Sequence, residues 1–266
     1  MLLAVLCSPG RMRQRIRRGT CPVTMFGRFN LFRISSGPAL HRTPISWVGV
    51  IGACWTLLLR LYGRTWRQEL IGIQDLDTRL NRTERVFLCF WHGKYLPLLF
   101  LLRGRKACVF TSFSFRGKLL ANICRRFGYD CVEIPQNDRP QTQERLRDGM
   151  EKHRTCALAV DGPLGPYHVV KRRPVEVASR LGFMIVPVSF ASKHSFLLRS
   201  RWDRMELPYP FTKVCLVVGR AMSLSPRLTF KETLAKTHEI RKALEDSEQQ
   251  AKQCFAPEIQ NVSSDE

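Results

Sequence analysis

VFLCFWHGKYLPLLFLL, residues 86–102, is the stretch on which the fold turns. Val86–Phe90 is short, unbroken, and rich in aromatic and β-branched side chains, which predicts a strand buried on both faces. Gly93 allows a sharp turn, and residues 95–102 have the length and composition of a helix. His92 is therefore expected at the mouth of a strand-to-helix junction. In open α/β sheets, sites collect at the carboxyl ends of strands. A neutral imidazole there can take a proton from a hydroxyl near pH 7. The competing account is a histidine satisfied by a turn carbonyl.

The pattern continues downstream. Strand-like runs lie at 107–112, 131–134, 155–160, 184–190 and 214–218, with helical patterns at 118–127, 142–152 and 174–181. Strand alternating with helix predicts an α/β fold: one domain with a mainly parallel central sheet flanked by helices. A charged helix over 229–253 follows, with Leu234, Ile240 and Leu244 as its apolar stripe.

A chain of 266 residues can bury one sizeable core, and 44% hydrophobic content excludes both a disordered chain and a multi-span membrane protein. The net charge of +21 implies an anionic partner. Arginines are spread along the chain with no long basic block and no nucleic-acid motif, so a nucleic-acid partner is not expected. Eleven arginines precede the first acidic residue, Glu69, which favours an anionic membrane surface. No pair among the ten cysteines has the spacing of a zinc or redox motif, so no metal is expected. Cys89, Cys108, Cys156 and Cys215 lie in apolar runs and read as small hydrophobes, which favours a reducing compartment.

Residues 1–44 read as a basic flexible arm, with an organelle transit segment as the alternative. Residues 45–59, ISWVGVIGACWTLLL, form the longest apolar run. Fifteen helical residues reach about 22 Å, short of the roughly 30 Å hydrocarbon core. Trp47, Trp55 and the arginines at 60, 64 and 67 suit a bilayer interface. A monotopic or membrane-dipping helix over 45–68 is expected, on the cytoplasmic face of a membrane, with a buried core helix as the alternative. The α/β domain then runs over 69–225, the C-terminal helix over 226–254, and a disordered tail over 255–266.

Three loops could carry chemistry. Residues 161–167, DGPLGPY, form a rigid turn at a strand end, where Gly162 and Gly165 let the backbone approach a ligand. Asp161 opens this loop, and Lys171 follows it as a candidate phosphate contact. Residues 111–118, TSFSFRGK, place Ser112, Arg116 and Lys118 at a helix start, which suits a phosphate-bearing ligand; N-capping by Ser112 or Ser114 is the simpler account. Residues 200–210, SRWDRMELPYP, hold Asp203 between arginines, where it could orient a histidine, bind substrate or merely pair locally.

The ordered set FWHG at 90–93, DGPLGP at 161–166, IVPVSFAS at 185–192, SRWDR at 200–204 and LPYPF at 207–211 resembles one branch of the lysophospholipid acyltransferase superfamily. That branch, long filed as a domain of unknown function, is related to the 1-acylglycerol-3-phosphate acyltransferases. The resemblance covers roughly residues 64–222. It implies acyl transfer from a thioester, acyl-CoA or acyl-carrier protein, to a hydroxyl of a lysophospholipid or related lipid. His92 matches the catalytic histidine as general base, and Asp161, Gly162 and Gly165 fall in the acidic-glycine block associated with acceptor binding. No cofactor beyond the acyl co-substrate is implied.

The chain also departs from the family pattern. The superfamily carries an Asp or Glu five residues after the histidine to orient it, and Pro97 stands there. Arg116-Gly117 replaces an Asp-Gly, residues 133–136 replace an Arg-Gly-Ser element, and Arg173 replaces a glycine. Asp161 and Asp203 are the two candidates for the missing carboxylate. If neither serves, the remaining expectation is an acyltransferase-fold protein that only binds lipid or acyl chains.

Overall fold

The strand at Val86–Phe90 lies at the centre of the molecule. A computed structural model describes residues 47–135 and 139–255, so the basic arm and the tail from residue 256 lie outside the described residues. Helix α1 (Trp47–Arg64) leads into β1 (Arg67–Ile71) and α2 (Ile73–Asn81). Then come β2 (Val86–Phe90), a 3-10 turn (His92–Lys94) and α3 (Tyr95–Leu101). The middle of the chain supplies β3 (Cys108–Ser112), α4 (Phe115–Arg126), β4 (Asp130–Ile134) and α5 (Arg139–Lys152). The remainder is β5 (Thr155–Ala159), α6 (Arg172–Arg180), β6 (Met184–Ser192), β7 (Ser195–Leu197), β8 (Glu206–Pro208), β9 (Lys213–Val218) and α7 (Phe230–Gln253).

Seven strands form one sheet in the order β1-β9-β6-β2-β5-β3-β4. Every pairing is parallel except β6 with β9. This is the expected α/β class, a mainly parallel sheet flanked by helices. All five residues of β2 are buried. Phe87, Cys89 and Trp91 enter one core with Met150 of α5, Val175 of α6, and Ile240 and Leu244 of α7. Burying one such side chain contributes roughly 1.5–3 kcal/mol, so these positions anchor the central strand firmly. Helix α7 starts on a capping box in which Thr229 and Glu232 satisfy each other's backbone N–H groups.

Three elements escape the sequence pattern. β1 and α2 are short and polar on their outer faces, so neither carries a clear period. The β7–β8 hairpin is an excursion between β6 and β9, built from strands of three residues each. It matters because it carries Asp203 back over the carboxyl end of β2.

Two expectations near the C-terminal end change. Cys215 of β9 is bridged to Cys254, 39 residues later, so it is more than a packing residue. That separation offers no local spacing from which the pair could be read. Phe255, placed at the start of the tail, is buried against Ala191, Cys215 and Val217.

Candidate active site

The site is assembled by register. In the parallel pair β2–β5, Phe90 lies beside Ala159, and Val160 N–H donates to the Phe90 carbonyl at 3.0 Å. Two residues further on each strand, His92 and Asp161 are therefore neighbours. Asp161 Oδ1 accepts the His92 backbone N–H at 2.9 Å. This carboxylate holds the turn and not the ring.

The ring has another partner. His92 Nδ1 lies 2.7 Å from Asp203 Oδ2, whose side chain is fully buried. Arg201 grips the same carboxylate with both ends of its fork, Nε to Oδ1 at 2.8 Å and an Nη to Oδ2 at 2.7 Å. Burial pushes the Asp203 carboxyl up, but the hydrogen bonds from Arg201 and His92 outweigh it and hold the group well below the usual carboxylate range. An ionised carboxylate can only accept, so the contact assigns the proton to Nδ1. In the neutral ring Nε2 then carries the lone pair, and it has no hydrogen-bond partner among the described residues. With its side chain about a quarter exposed, His92 can present that lone pair to a ligand.

Close approach makes this possible. The sharp turn expected at Gly93 is present as the 3-10 turn, without a left-handed φ, and the glycine is needed there for space as well. A Cβ at position 93 would run into the Asp203 backbone carbonyl. Gly165 has φ of +73° and lies so near Trp202 that a Cβ would sit 2.7 Å from its ring. Trp202 in turn stands 5.2 Å from the His92 ring, and Tyr95 stands 5.3 Å away on edge. Burial raises the Tyr95 hydroxyl to about 12, so it stays protonated. Tyr95, Arg201 and Trp202 carry no motif signal outside the SRWDR match; only their placement reveals them.

The remaining candidates divide. Gly162, at φ of +73°, turns the loop immediately after Asp161. Lys171 Nζ donates to the Gly165 carbonyl at 2.5 Å, so it braces this loop from within. Ser112 shares a hydrogen bond with Ser114 at 2.8 Å, and Ser114 caps α4 by accepting the Gly117 N–H at 3.1 Å. Capping thus explains Ser114. Arg116 and Lys118 lie exposed on the first turn of α4, and the Arg116 charge acts on Tyr95. Pro97 fits the first turn of α3, where proline costs no hydrogen bond.

A polar cleft of about 620 Å³ adjoins Asp203 and Gly93, walled by Trp91, Lys94, His168 and Glu206 among others. His168 is stacked between Trp91 and Tyr167, at 4.3 and 3.8 Å between ring centres. Burial lowers its imidazole to about 4, so it is neutral near pH 7.

Asp161 has the opposite character to Asp203. It is fully buried, its Oδ2 has no hydrogen-bond partner among the described residues, and burial raises its carboxyl to about 6. The folded state therefore holds this proton more tightly than the unfolded state does. Its contribution favours folding below about pH 4 and is lost as pH rises through about 6. Asp161→Asn keeps an acceptor for the His92 N–H and removes the buried charge. It should raise stability at pH 7.5 by on the order of 2 kcal/mol while leaving stability at pH 4 little changed. Denaturant midpoints at the two pH values check this, and a variant less stable at pH 7.5 contradicts it.

Comparison with known proteins gives three findings. No family model matches the chain. An uncharacterized protein of Rickettsia prowazekii (strain Madrid E) is 28% identical over 178 residues, spanning 64% of this chain and 80% of that protein. Among solved structures, the 1-acyl-sn-glycerophosphate acyltransferase PlsC of Thermotoga maritima aligns over 75% of this chain and 77% of its own, with TM-score 0.46 and 13% identity. The class that fold and site define is an α/β protein with a histidine–aspartate pair at the carboxyl end of its central strand.

Proposed function

We propose that this protein is a membrane-surface acyltransferase. It moves an acyl group from a thioester, acyl-CoA or acyl-carrier protein, to a hydroxyl of a lysophospholipid or related lipid. The observation that carries the proposal is the His92–Asp203 pair, with Nε2 left open. In this reading Nε2 removes the acceptor's hydroxyl proton as its oxygen attacks the thioester carbonyl. The tetrahedral intermediate collapses, the carbon–sulfur bond breaks, and the imidazolium returns the proton to the departing thiolate. Asp203 holds the ring in one tautomer and offsets the imidazolium charge. It supplies the role that position 97 leaves empty, which supports catalysis over lipid binding alone. The ordered motifs of the sequence support the acyl-transfer class over other uses of a histidine base.

The first helix supports the membrane part. Its small and polar residues face the protein: Gly63 meets Phe100, Gly52 meets Asn122, and the Thr56 hydroxyl donates back to the Gly52 carbonyl at 2.7 Å. Its large apolar residues face outward, with Leu57 59% and Leu61 51% exposed beside Val50, Ile51 and Leu58. A helix packed this way round leaves its apolar stripe for another apolar medium. Eighteen residues span about 27 Å. No helix among the described residues is long and apolar enough to cross a membrane, so lying in one leaflet is the fitting arrangement. Around the carboxyl edge, Phe113, Phe115, Leu164 and Phe211 are also exposed.

One experiment tests both parts. Full-length protein is floated with phosphatidylglycerol-containing vesicles that carry a panel of lysolipids, then supplied with labelled acyl-CoA or acyl-carrier protein. Labelled diacyl product on floated vesicles is expected. Absence of product with every donor and acceptor overturns the enzyme, and failure to float overturns the membrane role.

A further inference from the structure

The segments that carry His92 and Asp203 are cross-linked a second time. Two residues past His92, Lys94 Nζ lies 2.6 Å from Glu206 Oε2, three residues past Asp203. Lys94 is buried, only 6% exposed. Its ammonium also donates to the Phe190 carbonyl of β6 at 3.1 Å and lies 3.3 Å from Glu248 Oε1 of α7. Both acids are braced in turn: Ser192 donates to Glu206 Oε1 at 3.1 Å, and Lys252 pairs with Glu248 at 2.9 Å. Between the two rungs, the backbone at Gly93 runs so close to the Asp203 carbonyl that a Cβ would not fit.

Such a network is a poor source of net stability. Desolvating these charges offsets most of their mutual attraction, and well-packed apolar side chains often do as well. What it supplies is register. Sliding the His92 turn by one residue against the Asp203 segment breaks the His92–Asp203 hydrogen bond and the Lys94–Glu206 ion pair at once and strands buried charges. Burial disfavours the Lys94 ammonium, but Glu206 and Glu248 more than restore it, so Lys94 keeps its proton near neutral pH.

We infer that Lys94 is a positioning residue, whose buried pairing with Glu206 and Glu248 holds the His92 turn in register against Asp203. Helix α7, remote in sequence, thereby takes part in setting the geometry of the pair. The catalytic consequence rests on the reading of His92 as a general base; the geometric claim does not.

The test reads geometry and turnover separately. Full-length protein labelled with 15N-histidine reports the His92 tautomer by long-range proton–nitrogen NMR, with the resonance assigned by its absence in His92→Ala. The triple variant Lys94→Met, Glu206→Gln, Glu248→Gln removes the buried charges of the network and leaves unpaired only Lys252, whose side chain is exposed to solvent. Folded triple variant, checked by a cooperative melt, is expected to lose the single Nδ1–H tautomer. Its kcat should fall about 10- to 100-fold, the loss that follows a misplacement of about 1 Å, with KM within about twofold. Lys94→Arg keeps the charge and should retain the tautomer. An unchanged His92 resonance in the folded triple variant overturns the inference. Should the triple variant not fold, Glu248→Leu alone removes the α7 contact and leaves Lys94–Glu206. A His92 resonance shift supports the inference, and no shift overturns the part assigned to α7. A resonance that moves in a protein without acyl transfer keeps the positioning role and discards the enzyme.

Discussion

His92→Ala is expected to lower acyl transfer by about 10³-fold or more, because a positioned base contributes roughly 10²–10⁴ in rate. Asp203→Asn should be nearly as damaging. An asparagine can turn its NH₂ towards Nδ1, which then becomes the acceptor and moves the proton to Nε2, where a base is needed. The double variant should fall little further than either single one, since the two residues act as a unit. Arg201 and the buried surroundings of Asp203 make this sharper, for the carboxylate has no alternative orientation to adopt. The measurement is kcat/KM on vesicles for the three variants beside wild type. Additive losses in the double variant would mean that Asp203 does not act through His92. Transfer that survives His92→Ala would remove the histidine from the chemistry altogether.

Gly93→Ala should cost both stability and activity. A methyl group there meets the Asp203 backbone carbonyl, which cannot swing aside as a flexible side chain could. Overpacking of this kind typically costs about 1–3 kcal/mol. The two segments must also separate, and a misplacement of about 1 Å can remove about 10² in rate. Gly49→Ala is the fitting control, since nothing lies within 4 Å of a Cβ there and the residue is helical. That change should be neutral or stabilising by roughly 0.5–1 kcal/mol. Melting curves and turnover on the same preparations decide the matter. Wild-type stability and turnover in Gly93→Ala would show that the close approach is not needed.

Much of the framework was legible because its signals are local. β2, α3, β3 and α4 announce themselves by unbroken apolar runs, turn residues and a capping serine within a few positions of one another. β2 is predicted and observed over Val86–Phe90, whereas its place beside β5 is set by the strand order of the folded sheet. The β7–β8 hairpin was not legible, since three-residue strands are too short for a period to register. The bridge between Cys215 and Cys254 was equally hidden by its sequence separation of 39 residues.

The roles of the two candidate carboxylates show the same divide. The sequence offers Asp161 only as one candidate carboxylate for His92, and the structure puts it on the His92 backbone N–H and not on the ring. Asp203 reads locally as the partner of a neighbouring arginine, and that pair exists too. Its contact with the His92 ring spans 111 residues and depends on the antiparallel return of β9 along β6, which folds the hairpin over the sheet's carboxyl edge.

The sequence by itself determined the class of fold, the strand that ends at His92, and the turn that exposes it. Those follow from side-chain size, hydrophobic period and glycine placement over short windows. Only the tertiary structure decided which carboxylate meets the imidazole, why Gly93 must lack a side chain, and that Lys94 is tied to the C-terminal helix. A hydrogen bond is a matter of a few tenths of an ångström between groups far apart in the chain, and only the packed sheet sets distances on that scale.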